Sequence, residues 1–194
     1  MHGLDSLLSN RTQLRVLRVL FEAEVPMTGR AVQRAAGLSN KVIMDALHNL
    51  VELRALHVKP HGRAQLYEIN RNHYLVDRAL QPAFAAEEHF WEDVARTIRR
   101  IIRPRPIAAV ATGPLARDET QYGGRLMLTM LFSTGRNRLR ALQTVGALSA
   151  QIQDRYALTL EQQLLDLKTM DRDEYIPLWR RVEREGILLF GSLP

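Results

Sequence analysis

The stretch "VPMTGRAVQRAAGLSNKVIMDALHNLVELRAL", Val25 to Leu56, decides the fold of the amino-terminal third. Ala31, Val32 and Ala35 make a short apolar face at helical spacing, with Thr28 placed to cap its start. Gly37 stands where a left-handed residue ends a helix. The turn "GLS" then ends on Ser39, the N-cap of a second helix lined on one side by Ile43, Ala46, Leu47, Leu50 and Leu53. Two helices across a three-residue turn form a helix-turn-helix.

Upstream, "NRTQLRVLRVLFEA" (Asn10 to Ala23) spaces Leu14, Val16, Leu17, Leu20 and Phe21 as one more helix, with Asn10 or Thr12 as its cap. Downstream, "LHVK" and "AQLYEI" alternate like strands, and "PHGR" between them supplies a turn glycine, so the pair reads as a hairpin. Helix, helix-turn-helix and hairpin is the winged-helix order. It resembles the winged helix-turn-helix regulators of the arsenic-repressor and multidrug-repressor type, over about residues 10–72, best in "GLS" and "LHNLVELRAL".

Charge points to the same segment. From Arg30 to Arg63 six basic residues (Arg30, Arg34, Lys41, Arg54, Lys59, Arg63) face two acids (Asp45, Glu52), a balance of +4. The rest of the chain has twenty-one basic and nineteen acidic residues, within a net charge of +6 overall. An excess of cations favours an anionic partner. With the second helix in a major groove, Ser39, Asn40, Lys41, Met44 and His48 would lie toward base edges. Lys59, His61 and Arg63 on the wing, with Arg30 and Arg34 on the preceding helix, would meet the backbone of double-stranded DNA. Against that, the DNA-binding members of the resembled family carry Ser/Thr and Arg where this chain has Met44 and Asp45, and Asp45 repels phosphate. Docking to a protein partner is the competing reading. His48 and His57 read as surface or packing residues, with no second ligating residue four positions on from either.

The middle segment, "HYLVDRALQPAFAAEEHFWEDVARTIRRIIRP", reads as a connecting helix over residues 74–103, broken or begun at Pro82 and ended by Arg103-Pro104-Arg105-Pro106. In the resembled repressors such a helix often pairs two subunits, so a homodimer is expected. The plainer alternative is a helix packed on its own second domain.

The last third reads as strand (Ile107–Ala111), turn, strand (Leu126–Phe132), amphipathic helix, a short strand within "ALTLEQQLLDLKTM", helix, and a final apolar strand or tail. Its segment "ATGPLARDETQYGGRLMLTMLF" resembles the first motif of the minimal nucleotidyltransferases of the polymerase-beta superfamily, and the resemblance runs over about residues 104–192. Gly113, Ala116, Arg117 and Glu119 match that motif. Pro114 replaces a serine and Asp118 a glycine. The two metal-binding aspartates of the family fall on Arg125 and Met127, and the third carboxylate, expected near Tyr156–Leu160, is missing from "YALTL". Nucleotidyl transfer needs carboxylates to hold Mg²⁺. Pro114 has no N–H to offer a phosphate, Arg125 is a cation, and Met127 is no ligand for a hard ion. The resemblance therefore implies a scaffold without catalytic residues, metal or cofactor. Neither the adjacent acids Asp118 and Glu119 nor the cluster "DRDE" (Asp171–Glu174) is read as having one-residue spacing on a strand, which would turn two carboxylates to one side. Gly113, Arg117 and Arg125 form a candidate anion-binding set, which would hold a nucleotide ligand without cleaving it.

Cysteine is absent, which excludes disulfides and thiol chemistry and suits a reducing cytoplasm. No apolar run is long enough to cross a membrane, and "MHGLDSLLSN" lacks the pattern of a signal peptide. The expected architecture is α+β: a winged helix over 1–73, a connecting helix over 74–103, and a small α/β nucleotidyltransferase-like domain over 104–194. The expected function is that of a cytoplasmic, dimeric, DNA-binding transcriptional regulator whose second domain serves assembly, ligand sensing or docking. The alternatives are an active nucleotidyltransferase and an antitoxin-like interaction module.

Overall fold

Gly37 adopts φ +63 and ψ 34, which glycine reaches without steric cost, and its N–H returns to the carbonyls of Gln33 and Arg34. That turn parts α3 (Gly29–Ala36) from α4 (Asn40–Glu52) in a computed structural model that describes residues 3–8, 10–119, 123–169 and 172–193. The fold is mixed α+β. Among the described residues it has eight α-helices and two sheets, and it divides into two units, Met1–Glu88 and His89–Pro194.

The first unit begins with α1 (Gly3–Leu7) and α2 (Arg11–Glu22), passes through β1 (Met27–Thr28), α3 and α4, and continues into β2 (Leu56–His61) and β3 (Ala64–Ile69). A π-helical turn at Val76–Leu80 and α5 (Gln81–Glu88) end it. Asn10 caps α2, accepting from the Gln13 N–H at 2.8 Å, and Thr28 caps α3, accepting from the Ala31 N–H at 3.2 Å. Ser39 holds the N-cap position of α4, but its side chain makes no capping bond. Val16, Leu17 and Leu20 of α2, Val32 and Ala36 of α3, and Ile43, Leu47 and Leu50 of α4 share one core with Tyr67 of β3.

The strand order β1-β3-β2 is antiparallel throughout. The hairpin pairs His61 with Ala64, so its turn is Gly62-Arg63 alone, and Pro60 and His61 belong to β2 rather than to a four-residue turn. β2 is an edge strand, where a proline with no N–H is tolerated.

Residues 74–103 are not one helix. The π-helical turn and α5 precede a break at His89 (φ −89, ψ 10), after which α6 (Phe90–Ile101) starts. The reason is burial. Val76, Leu80 and Phe84 belong to the core of the first unit, whereas Val94, Ile98 and Ile102 belong to that of the second. The apolar face from which pairing of subunits was expected is thus used inside the second unit, as the plainer alternative had it.

The second unit continues with β4 (Ala108–Thr112), β5 (Arg125–Phe132), α7 (Gly135–Tyr156), β6 (Thr159–Asp166), α8 (Ile176–Glu185) and β7 (Ile187–Phe190). Its sheet runs β6-β5-β4-β7. β5 and β6 are parallel, joined through α7, and β4 is antiparallel to both neighbours. Alternation on β5 splits its side chains between two faces. Leu126, Leu128, Met130 and Phe132 pack with α6 and α7, while Leu131 joins Ala108, Leu165 and the α8 residues Leu178 and Trp179.

One polar knot ties α6 to α7. Asp93 accepts from Arg155 Nη2 at 2.7 Å, from the Tyr156 hydroxyl at 2.8 Å and from Arg96 Nη1 at 3.0 Å. The Arg155 hydrogen bond first, then that of Tyr156, holds the Asp93 carboxyl below the usual carboxylate range. A carboxyl lowered by folding contributes stability above its unfolded pKa, near pH 4, and loses it as pH falls through the folded value. Asp93→Asn is therefore expected to lower the thermal midpoint at about pH 7 far more than at about pH 3. Calorimetry of both proteins at the two pH values checks this, and equal losses would contradict it.

Candidate nucleic-acid interface and the Gly113 turn

The buried side of α4 fixes what its other side presents. With Ile43, Ala46, Leu47 and Leu50 inside, Lys41, Asp45, His48 and Glu52 run along the outer line at helical spacing, and all four are exposed. Asn40 and Met44 flank this line on one side and Val42 and Asn49 on the other, all exposed. Met44 also works inward: its sulfur lies so close over Gly29 that a methyl added there would stand 3.1 Å away. His48 lies 3.3 Å from the Glu52 carboxylate. Glu52 stands four positions on from His48 and His61 four on from His57, so the expectation that no ligating residue stands there is corrected for both. Two such groups still make no metal site, and no group of three His, Cys, Asp or Glu able to hold a metal occurs among the described residues.

The cations of this unit divide into paired and unpaired. Lys59, expected on the backbone, gives its ammonium to Glu68 across the hairpin at 2.6 Å. Arg30, Arg34, Lys41, Arg54 and Arg63 are exposed and make no ion pair with a carboxylate among the described residues. His61 and Arg63 stand exposed at the hairpin end. Ser39, Asn40 and Lys41 open α4, where N–H groups without helical partners and the positive end of the helix dipole suit a phosphate. Glu68 has no local signal in the sequence, because its role depends on strand register.

In the second unit the three residues of the candidate anion-binding set are brought into one region and are all engaged there. Gly113 has φ +86, and a Cβ on it would lie 2.5 Å from the Met127 sulfur, so the thioether fills the approach to the turn. Arg125 donates to Glu161 at 2.8 Å. Arg117 pairs with Glu119 at 2.8 Å and with Glu185, whose side chain is only 5% exposed. Burial pushes the Glu185 carboxyl up, but the hydrogen bond and charge of Arg117 outweigh it and leave the group lowered. The hydrogen bond with Glu119, then that with Glu185, raises Arg117. Among the described residues both arginines are paired with carboxylates, Arg125 at an exposed position.

The register adds a correction. β6 starts at Thr159 and sets Glu161 beside Met127, so a carboxylate does stand on that strand next to the Arg125 and Met127 positions. Arg125 consumes it. Arg125, Met127 and the paired Glu161 are not a donor set that suits magnesium, which takes several free oxygen ligands. Of the two acidic groups, Glu119 is bound to Arg117 and Glu174 faces Arg172 at 3.7 Å, while Asp171 lies outside the described residues.

No protein-family model matches the chain, and no curated protein matches it. Among solved structures, an ArsR family transcriptional regulator matches at 20% identity, covering 46% of this chain and 88% of that chain, with a TM-score of 0.34. A mutant of the toxin-antitoxin MntA-HpeT matches at 14% identity over 52% of this chain and 73% of that chain, with a TM-score of 0.36. Human N-acetylserotonin methyltransferase in complex with SAM matches at 17% identity over 82% of this chain and 55% of its own, with a TM-score of 0.32. These are loose likenesses, and the functional reading rests on the residues of this chain.

The packing of Met127 on Gly113 is testable. Gly113→Ala combines a left-handed backbone with a clash, so a loss of about 2–4 kcal/mol of unfolding free energy is expected. Met127→Ala removes the clash but leaves the backbone cost. A denaturant-based double-mutant cycle should show coupling of about 1 kcal/mol, and strict additivity would refute the packing.

Proposed function

We propose that this protein binds double-stranded DNA through its amino-terminal unit and acts as a transcriptional regulator. The observation that carries the reading is the set of exposed cations without carboxylate partners on α3, α4 and the hairpin turn. Lys41 opens α4, Arg30 and Arg34 lie on α3, and Arg63 tips the wing. A helix pinned by one apolar face presents Ser39, Asn40 and Lys41 at its first turn, where such a helix meets base edges in a major groove. His48 lies about two turns further along the same line. Lys59 contributes less than its position promised, because Glu68 competes for it.

The second unit, on this reading, has no nucleotidyl-transfer activity and serves assembly or docking. A Mg²⁺-dependent turnover of labelled ATP that EDTA removes and repurification preserves would overturn that part. No helix among the described residues is long and apolar enough to cross a membrane, and a cytoplasmic location suits a protein of this function. A homodimer would need a surface other than the apolar face of α6.

One observation favours a second reading, docking to a protein. Asp45 and Glu52 lie on the outer line of α4, where each would face phosphate. The two readings make opposite forecasts for Asp45→Asn. DNA binding forecasts tighter binding to duplex, since an anion is removed from the interface. Lys41→Glu is expected to abolish the sequence-selective complex. Genomic fragments selected on the full-length protein, followed by anisotropy titrations of the enriched sites, decide between them. With three to five phosphate contacts, the logarithm of affinity should fall against that of salt with a slope of about −3 to −5. No enrichment, or complexes indifferent to Lys41→Glu, would sink the proposal.

A further inference from the structure

The second unit has a cationic surface that its fold does not use. The sequence has no Asp or Glu from residue 94 to 117, and none from 120 to 153. Within those stretches Arg99, Arg100, Arg103, Arg105, Arg136 and Arg140 are exposed. Other arginines of the unit are spent on carboxylates, as with Arg117, Arg125, Arg138, Arg155 and Arg181. None of the six has such a partner among the described residues.

The seam between α6 and α7 brings them to one end. The hydroxyls of Thr97 and Tyr156 meet at 2.9 Å, and further along the Arg103 N–H donates to Thr144 Oγ1 at 3.3 Å. The helices are therefore antiparallel. Arg100 lies between Thr97 and Arg103 on the seam side of α6. Arg140 lies one turn before Thr144 on α7, and Arg136 one turn earlier still. Arg105 follows where the chain leaves the helix.

Local stability accounts for part of this cluster only. Arg99 and Arg100 sit in the last turn of α6, where cations suit the helix dipole; Arg99 also covers the Phe190 ring, and Arg103 donates to the Arg99 and Ile102 carbonyls. α7 is the reverse case. Its first turn has no acid, and Arg136 and Arg138 crowd the end where the dipole disfavours cations. Arg138 is offset by the buried Asp166, 3.0 Å away. Arg136 and Arg140 have no such offset among the described residues, and an external anion would supply it.

We infer that the α6–α7 end of the second unit is a phosphate-binding surface that contacts the sugar-phosphate backbone of duplex DNA without reading its sequence. Every cation in it is arginine, whose guanidinium takes a phosphate through two parallel hydrogen bonds. The last turn of α6 and the first three turns of α7 expose no aromatic side chain, so nothing there stacks on a base. This surface belongs to the second unit, and that on α4 to the first. It rests on the DNA-binding proposal and deepens it by adding a second, non-selective set of contacts.

The full-length protein is titrated onto an arbitrary duplex of about 30 base pairs between about 50 and 200 mM salt. Arg100→Gln, Arg136→Gln and Arg140→Gln are combined; Arg103 is left because it caps a helix. The expected result is weaker binding and a salt slope shallower by about 2–3, since each phosphate no longer neutralised removes about 0.9. The thermal midpoint should hold, since the gain at Arg136, which opposes the dipole, offsets the loss at Arg100, which suits it. An unchanged slope overturns the surface. So does loss of binding to phosphatidylserine vesicles or polyglutamate with duplex binding intact. Lys41→Glu separates the two proposals. If the triple variant weakens duplex binding and Lys41→Glu changes nothing on selected sites, the second-unit surface stands and the α4 reading falls. If only Lys41→Glu matters, the reverse holds. A triple variant whose midpoint drops is replaced by Arg136→Gln alone, which should lower the slope by about 0.9.

Discussion

The apolar seam between α3 and α4 is the constraint on which the first unit depends. Val32 and Ala36 meet Ile43, Ala46, Leu47 and Leu50, none of them more than 3% exposed. Once those six are buried, the rotation of α4 is fixed and the other residues have no choice of side. Gly37 sets the bend, Thr28 fixes where α3 begins, and the Met44 sulfur closes the gap over Gly29. Lys41 is outward because Ile43 and Leu47 are inward, so packing and candidate function have one cause.

The second unit shows the same logic with a different outcome. β5 gives its even residues to the core and leaves Arg125, Met127 and Thr129 on the other face. In a metal site two acids would use that alternation. Here the alternation delivers a guanidinium to Glu161 and a thioether to Gly113. Two mutually neutralising charges and an apolar plug are what the end of this strand can hold without an added ion. Arg117 does likewise, holding the last residue of α8, Glu185, to the turn that follows β4.

Elements whose signals are local were legible in the sequence. Asn10 and Thr28 cap as their types suggest, Gly37 is left-handed, and Gly62 sits in the hairpin turn. What escaped was non-local. Nothing near Lys59 says that Glu68 lies diagonally across a hairpin, and nothing near Arg125 says that a parallel strand more than thirty residues on brings Glu161 beside it. The break at His89 was hidden for a related reason. The apolar periodicity continues through it, and only the identity of the two cores separates Phe84 from Val94. The six-arginine end of the α6–α7 seam was invisible because composition was balanced over the whole remainder of the chain, whereas the acids that balance it are committed elsewhere.

Charge counts and charge availability are therefore different quantities, and the second decides where an anion binds. The first unit holds eleven basic and nine acidic residues, the second sixteen and twelve. Those totals suggest the second unit as the stronger attractor. Pairing changes that ranking. In the first unit the acids cluster away from the α3, α4 and wing cations, apart from Asp45, Glu52 and Glu68. In the second, arginines such as Arg117, Arg125, Arg138 and Arg155 are held by carboxylates that the fold needs where they are. Subtracting the held cations leaves exposed ones at the start of α4 and of α7, beside others such as Arg11, Arg15 and Arg180. At those two helix N-termini, N–H groups and arginine or lysine add to the same positive potential. Neither first turn has an acid, and on the DNA-binding proposal the polyanion would supply the offsetting charge.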